Sequence, residues 1–87
     1  MSFQNLFSSR VKHLRITKGV SQSQLADILG TSRTAIANWE TGLRIPLLET
    51  LCEIAAYFNV SLDYLTGFDN LSSNYTSEEA ATLEPAI

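Results

Sequence analysis

The sequence has 87 residues, of which 45% are apolar and 17% charged, and these proportions are typical of one folded globular domain rather than of a disordered chain. No stretch is long and apolar enough to span a bilayer, and the N-terminus does not resemble a secretion signal, so we expect a cytoplasmic protein with no membrane attachment. The single cysteine, Cys52, excludes an intrachain disulfide and a zinc site of paired cysteines, and we expect it to be a small buried residue.

The net charge of −3 does not at first favour a nucleic-acid partner, because DNA-binding domains usually carry an excess of basic residues. All six basic residues precede Gly67, together with five of the nine acidic residues, so this part of the chain carries a charge of +1. The other four acidic residues follow Gly67 and give the C-terminal segment a charge of −4. The acidity therefore belongs mostly to that segment, although +1 is still low for a DNA-binding domain.

Helical spacing and capping motifs predict two helices before residue 30. The first runs roughly over 5–18 and is followed by Gly19, which can adopt the left-handed conformation that ends helices. Its apolar face consists of Phe7, Val11 and Leu14. The second begins after Ser21, whose hydroxyl can accept a backbone N–H while Gln24 completes a capping box, and it ends at Gly30. Its apolar stripe consists of Leu25, Ile28 and Leu29.

A third, short helix is predicted from the cap Ser32 to Thr41, followed by Gly42. Its inward residues are Ile36 and Trp39, and this spacing makes Trp39 a core residue rather than one that stacks on a base.

Two more helices are predicted before Gly67. The fourth has Pro46 in its first turn and ends near Asn59. The residues expected to share its buried face are Leu48, Leu51, Cys52, Ala55 and Phe58. The last is capped by Ser61 and is expected to bury Leu62 and Leu65.

A change in composition at Gly67 predicts two regions. Residues 1–67 form a compact five-helix domain, and residues 68–87 form an acidic, polar tail rich in Ser, Thr, Asn and Glu. Within the tail, the segment 76–83 begins with a T-x-x-E capping box and predicts a short sixth helix if that helix docks on the domain.

The segment 22–41 has the residue types of a helix-turn-helix. Two short helices that cross steeply need a small residue at the contact, here Ala26, and a left-handed residue at the corner, here Gly30. Their inner faces must be apolar, as Leu25, Leu29, Ile36 and Trp39 are. The outward positions of the third helix are then free to enter a major groove, and these are Arg33, Thr34, Ala37 and Asn38.

These motifs resemble the Cro/C1-type (XRE-like) helix-turn-helix regulators of bacteria and phages, from about Phe7 to Gly67. The resemblance is carried by SSRVK (8–12), GVSQ (19–22), LA (25–26), LG (29–30), IANWE (36–40), Pro46, Leu51 and VSLDYL (60–65). It implies an all-α five-helix bundle of the lambda-repressor-like type that binds a palindromic double-stranded DNA operator as a homodimer.

The resemblance also implies roles for individual residues. Base edges would be contacted by Arg33, Thr34 and Asn38, with Ala37 able to make only an apolar contact. Phosphates would be contacted by Gln22 and Ser32, and Arg44 is the only cation of the loop 41–46 that could reach a phosphate or the minor groove. Arg15 and Glu40 would form a structural ion pair. Leu47 departs from the family, which usually places a polar N-cap there, so its apolar side chain is expected to be exposed.

Other functions are less consistent with the sequence. His13 has no partner at ligand spacing, Ser8 and Ser9 have no partnered base, and no Gly-rich phosphate loop occurs, so we expect no enzyme, no metal, no cofactor and no small-molecule ligand. The main prediction is a sequence-specific DNA-binding transcriptional regulator, a repressor, that reads the major groove with its third helix. The alternative is a helix-turn-helix protein-interaction module, such as an antitoxin or anti-repressor component. We expect the dimer interface at the last helix, from Leu62 to Leu65, with Phe68 and Leu71 beyond it.

Overall fold

The structure, a computed structural model, describes residues 3–68 and contains five α-helices and no strand in that range. The helices are α1 (Phe3–Lys18), α2 (Gln22–Leu29), α3 (Arg33–Thr41), α4 (Leu48–Phe58) and α5 (Leu62–Thr66). The predicted all-helical fold with five helices is therefore confirmed. The possible sixth helix at 76–83 lies outside the described residues.

Serine side chains begin three of the five helices. The Ser21 hydroxyl accepts the backbone N–H of Gln24 at 3.0 Å, and the Gln24 side chain accepts the backbone N–H of Ser21 at 2.8 Å, which completes the predicted capping box. Ser32 and Ser61 cap α3 and α5 in the same way, each through the backbone N–H three residues later. These caps satisfy N–H groups that have no partner within the helix, so they fix where each helix starts.

One apolar core joins the five helices. Its buried members are Phe7, Val11, Leu25, Ala26, Ile36, Trp39, Leu51, Ile54, Ala55 and Leu65. Helix α3 packs against both α1 and α2, and α5 packs against α1 and α4. The core therefore holds the inner face of α3 from two sides and leaves its other face uncovered.

Helix α4 differs from the prediction in its start and in its buried face. Pro46 precedes the helix, and Leu47 is the N-cap, with no side-chain hydrogen bond and 81% exposure. The buried residues of α4 are Leu51, Ile54 and Ala55, whereas Leu48 and Cys52 are exposed. The prediction is confirmed for Leu51 and Ala55 and wrong for Leu48 and Cys52. It failed there because α4 is apolar on several faces, so helical spacing alone does not select the one that packs.

Two further residues expected on buried faces are partly exposed. Ile28 is 49% exposed and Leu62 is 36% exposed. Both lie on short helices in which other residues, Leu25 and Ala26 in α2 and Leu65 in α5, make the core contact. A short helix presents only a narrow line of contact, and neighbouring apolar residues remain at its edge.

Two of the left-handed glycines that end helices differ in their surroundings. Gly30 ends α2 with φ of 68°, and a Cβ added there would have no atom within 4 Å. Gly67 ends α5 with φ of 82°, and a Cβ added there would lie 2.6 Å from Cδ1 of Leu6. Both positions favour glycine for its backbone, but only Gly67 also lies too close to a neighbouring side chain for a Cβ.

We expect Gly30→Ala to lower the free energy of unfolding by about 1 kcal/mol, the cost of a left-handed alanine. Gly67→Ala should lower it by more than Gly30→Ala does, because the side chain of Leu6 must also shift. Urea unfolding followed by circular dichroism measures both. Equal losses in the two variants would contradict the close packing of Gly67 against α1.

Candidate nucleic-acid interface

Helices α2 and α3 are joined by a tight left-handed turn. Gly30 is the residue that caps the C-terminus of α2, and the N–H of the next residue, Thr31, donates to the carbonyl of Ala26 at 2.9 Å. Ala26 is buried, and so are Leu25 and Ile36 on the inner faces of the two helices. The small residue, the glycine and the apolar residues therefore stand where a helix-turn-helix requires them.

The outer face of α3 carries the four residues that were predicted to meet base edges. Arg33 and Thr34 are exposed, while Ala37 and Asn38 are half-buried. Because successive residues of an α-helix are rotated by about 100°, these four lie on the side of the helix opposite Ile36 and Trp39. The structure thus brings the four candidate base contacts together on one uncovered surface.

Thr41 lies on the same outer face, in the last turn of α3, and is not among the residues predicted to contact DNA. It is exposed, and its hydroxyl donates to the carbonyl of Asn38 at 3.2 Å. Its spacing of four from Ala37 was the signal that could have placed it on this face.

Two polar side chains of this face, those of Arg33 and Asn38, have no partner among the described residues. Within residues 3–68, neither the guanidinium of Arg33 nor the side-chain amide of Asn38 has a hydrogen bond or ion pair. The backbone carbonyl of Asn38 accepts the N–H groups of Leu43 and Arg44 at 3.0 and 3.2 Å, which fixes the start of the connection to α4. The guanidinium of Arg33 and the side-chain amide of Asn38 can therefore both donate hydrogen bonds to an incoming ligand.

The predicted phosphate contacts have different surroundings. Ser32 is exposed, and its hydroxyl accepts the N–H of Ala35 at 3.1 Å, so its own O–H can still donate. Arg44 is exposed in the connection between α3 and α4. Gln22 is half-buried, and its Nε2 donates to Oε1 of Glu40 at 3.2 Å, a contact that the sequence reasoning did not anticipate.

Arg15 of α1 and Glu40 of α3 form an ion pair beneath this surface. Nε of Arg15 lies 2.5 Å from Oε2 of Glu40, and Nη2 donates to Oε1 at 3.0 Å, so the pair is bidentate. The side chains are 13% and 3% exposed, respectively. Nη1 of Arg15 also donates to the carbonyl of Val20 at 2.9 Å. One guanidinium therefore connects α1, the residues before α2, and α3.

This pairing raises the pKa of Arg15, mainly through the hydrogen bonds to Glu40, with a smaller opposing effect of burial. A raised pKa in the folded state contributes stability that is fully present below the ordinary arginine pKa and is lost only as the pH rises through the raised value. The guanidinium is thus charged at neutral pH, and the ion pair is intact there.

The remaining chemistry of the described part is sparse. Residues 3–68 contain no group of three or more His, Cys, Asp or Glu side chains that could hold a metal ion. No helix among them is long and apolar enough to cross a membrane. Every buried side-chain nitrogen or oxygen in that range has a hydrogen-bond partner.

A bundle of this kind, with α3 held on one face and open on the other, defines a helix-turn-helix domain. The family model described as helix-turn-helix, HTH_3, matches residues 11–65, and the chain belongs to this family. The resemblance to XRE-like regulators seen in the sequence is thereby confirmed.

Individual relatives agree with this assignment. The chain is 36% identical over 78 residues to the HTH-type transcriptional activator BcrR of Enterococcus faecalis, covering 90% of this chain and 38% of that protein. It is 34% identical over 79 residues to the HTH-type transcriptional regulator ImmR of Bacillus subtilis, covering 90% and 62%. The chain thus spans less than two thirds of the length of either relative. These relatives are regulators, in agreement with the prediction that the chain is not an enzyme.

Among solved structures, the chain is similar to the restriction-modification controller protein C.AhdI of Aeromonas hydrophila. The TM-score is 0.65 with 29% sequence identity, and the match covers 71% of this chain and 94% of that one. The similarity therefore extends over nearly the whole of that protein.

We expect Arg15→Met to lower the free energy of unfolding by about 3 kcal/mol, because it leaves the carboxylate of Glu40 buried and without its cation. Lys12→Met is the matched control, since Lys12 is an exposed residue of the same helix and should change stability by less than about 0.5 kcal/mol. Thermal and urea unfolding measure both. A loss for Arg15→Met no larger than for the control would show that the ion pair does not hold α1 to α3.

Proposed function

We propose that this chain is a sequence-specific double-stranded DNA-binding transcriptional regulator that inserts α3 into the major groove and acts as a repressor. The observation that carries the proposal is the outer face of α3, which is polar, uncovered and opposite the residues that anchor the helix in the core. An α-helix fits the major groove, where each base pair presents a distinct pattern of donors and acceptors. Family membership supports the DNA partner. A DNA partner is in turn the reason for proposing a cytoplasmic location.

Each residue of this face suits a particular contact. The guanidinium of Arg33 can donate to O6 and N7 of guanine, and the amide of Asn38 can pair with N6 and N7 of adenine. Thr34 and Ala37 carry methyl groups that can touch the methyl of thymine. Specificity would then come from four side chains of one helix, two of them forming bidentate hydrogen bonds.

The contacts to the phosphate backbone of the DNA would lie around α3. The N-terminus of α3, with the O–H of Ser32, can receive a phosphate, because the first N–H groups of a helix and its dipole favour anions. Gln22 lies at the first position of α2 and can donate to a neighbouring phosphate. Arg44 supplies a positive charge on the other side of α3. These contacts would position the domain without reading sequence.

We further propose that two copies bind a palindromic operator, with their α3 helices about 34 Å apart, one turn of DNA. Of the interface expected from the sequence, Leu65 is completely buried in the core of one copy, whereas Leu62 and Phe68 are 36% and 44% exposed. Leu71 lies outside the described residues. A denser set of large exposed apolar side chains lies within six residues of the chain, between the end of α3 and the first turn of α4. We propose this apolar cluster as the interface, and its members are Leu43, Ile45, Leu47 and Leu48. A second copy that covers this cluster would bury apolar surface close to both recognition helices.

Repression needs no further surface. A dimer seated on an operator that overlaps a promoter excludes polymerase by occupancy alone. The Enterococcus relative carries the name of an activator, so the position of the operator relative to the promoter determines which effect this chain has. A reporter gene whose promoter overlaps the operator should lose expression when the chain is supplied.

The same exposed apolar cluster favours one other function, a protein-interaction module such as an antitoxin or anti-repressor component. In that case the residues at 43–48 would bind a different protein, and the near-neutral domain would bind DNA only weakly. The two functions differ in what the cluster contacts, a second copy of this chain or another protein. They also differ in whether the chain selects a DNA sequence.

Replacing Arg33 should affect sequence preference, whereas replacing Gln22 should not. We expect Arg33→Ala to cost about 1–3 kcal/mol on a cognate site and to relax the preference at one base pair. Gln22→Ala should weaken binding to all duplexes by a similar factor, because phosphates do not differ between sequences. Fluorescence anisotropy with cognate and single-substitution duplexes measures both. An equal loss on every duplex for Arg33→Ala would contradict its assignment to a base.

Leu48→Glu should prevent dimer formation without unfolding the domain. Leu48 is 68% exposed in the first turn of α4, where a carboxylate is compatible with the helix dipole. Ile16→Glu is the control, since Ile16 is 58% exposed but lies on α1, outside the cluster. Analytical ultracentrifugation over a range of concentrations should give a dimer for the parent and the control and a monomer for Leu48→Glu. A dimer that survives Leu48→Glu would place the interface elsewhere.

A further inference from the structure

The side chain of Gln22 is held in place before any ligand arrives. Gln22 is the first residue of α2, and its only side-chain hydrogen bond within residues 3–68 is the one from Nε2 to Oε1 of Glu40, at 3.2 Å. A free glutamine side chain loses up to about 1.5–2 kcal/mol of conformational entropy when it is fixed. Part of that loss has already occurred here, so a ligand of Gln22 does not have to overcome all of it.

The chemistry of Glu40 also decides which end of the amide faces it. An ionised carboxylate only accepts hydrogen bonds, so the amide nitrogen of Gln22, and not its oxygen, must face Glu40. The nitrogen carries two N–H groups, and the contact with Glu40 uses one of them. The second N–H is left to donate to another acceptor.

Glu40 is itself rigidly held. Its side chain is 3% exposed, and Arg15 donates to both of its oxygens. Because Arg15 also donates to the carbonyl of Val20, two residues before Gln22, the same guanidinium fixes the backbone that leads into α2. Both the start of α2 and the amide of Gln22 are therefore positioned from one buried carboxylate on α3.

We propose that Glu40 is a positioning residue for DNA binding, which acts by holding the Gln22 amide so that its second N–H meets a phosphate. This inference rests on the proposed function. It gives the Arg15–Glu40 pair a role beyond joining α1 to α3. The orientation of Gln22, which would contact the DNA backbone from α2, would depend on Glu40 of α3. Glu40 does not touch the DNA.

The test is a double-mutant cycle between Glu40→Gln and Gln22→Ala. In Glu40→Gln the amide oxygen keeps one of the two hydrogen bonds from Arg15, and the amide nitrogen, in the place of Oε1, presents an N–H to residue 22. Gln22 must then turn, and its outward group changes. The substitution also removes a negative charge, which strengthens binding to DNA, but this effect is the same in both backgrounds and cancels in the cycle. The probe is a labelled duplex of mixed sequence, since a phosphate contact does not depend on sequence.

We compare the loss of DNA affinity caused by Glu40→Gln in the parent chain and in the Gln22→Ala variant. This loss should be about three- to tenfold larger in the parent, the range for one hydrogen bond. Gln24→Ala is the matched control, because Gln24 belongs to the same helix but bonds to the backbone of Ser21, and its effect should be additive with that of Glu40→Gln. The free energy of unfolding is measured in parallel. If Glu40 had a merely structural role, Glu40→Gln would change this free energy equally in the parent chain and in the Gln22→Ala variant.

The other outcomes overturn the inference in distinguishable ways. If Glu40→Gln changes affinity by the same factor with and without Gln22, or if Gln22→Ala binds as the parent does, the inference fails while DNA binding stands. If the parent chain binds no duplex, the proposed function fails and the inference fails with it. Should Glu40→Gln not fold, Glu40→Asp serves in the same cycle, because it keeps the charge for Arg15 but withdraws the carboxylate from Gln22.

Discussion

The helix-turn-helix of this protein consists of helices of eight and nine residues, which are too short to be stable in water alone. Its geometry therefore depends on the core, in which Ile36 and Trp39 anchor α3 against α1 and α2. The turn at Gly30 and the small Ala26 allow the two helices to approach, and the Arg15–Glu40 pair fixes α1 over them. Because one face of α3 is committed to the core, the other is presented to solvent in a fixed orientation.

The features that were predictable from the sequence are those decided by local chemistry. The serine caps at 21, 32 and 61 and the glycine at 30 act on backbone groups within a few residues, so spacing alone identifies them. The face of α4 was not predictable in this way, because Ile54 and Cys52 are both apolar and only the neighbouring helices decide that the first is buried and the second exposed. The link from Gln22 to Glu40 was missed for a similar reason. It joins residues eighteen positions apart and depends on how two helices cross.

The charge of the domain shapes the kind of interface it can form. Arg33 and Arg44 are the charged side chains that the proposed contacts use, while Gln22, Ser32 and Asn38 contribute neutral hydrogen bonds. Only Arg44 is proposed to meet a phosphate, since Arg33 is assigned to a base edge. A dimer would then neutralise about two phosphates, and the logarithm of its affinity should fall with the logarithm of salt concentration with a slope of roughly −2. Most of the discrimination between sequences would come from oriented hydrogen bonds made by α3. Charge would contribute a smaller share of the affinity than it does in strongly basic domains.

The central claim is that α3 reads a specific DNA sequence, and the most direct test is selection of tight binders by the full chain from a library of random duplexes. The account predicts enrichment of a palindrome whose half-sites are about one helical turn apart, with guanine and adenine at positions that Arg33 and Asn38 can reach. A library that shows no enriched sequence after repeated rounds, with the folded chain present throughout, would contradict it.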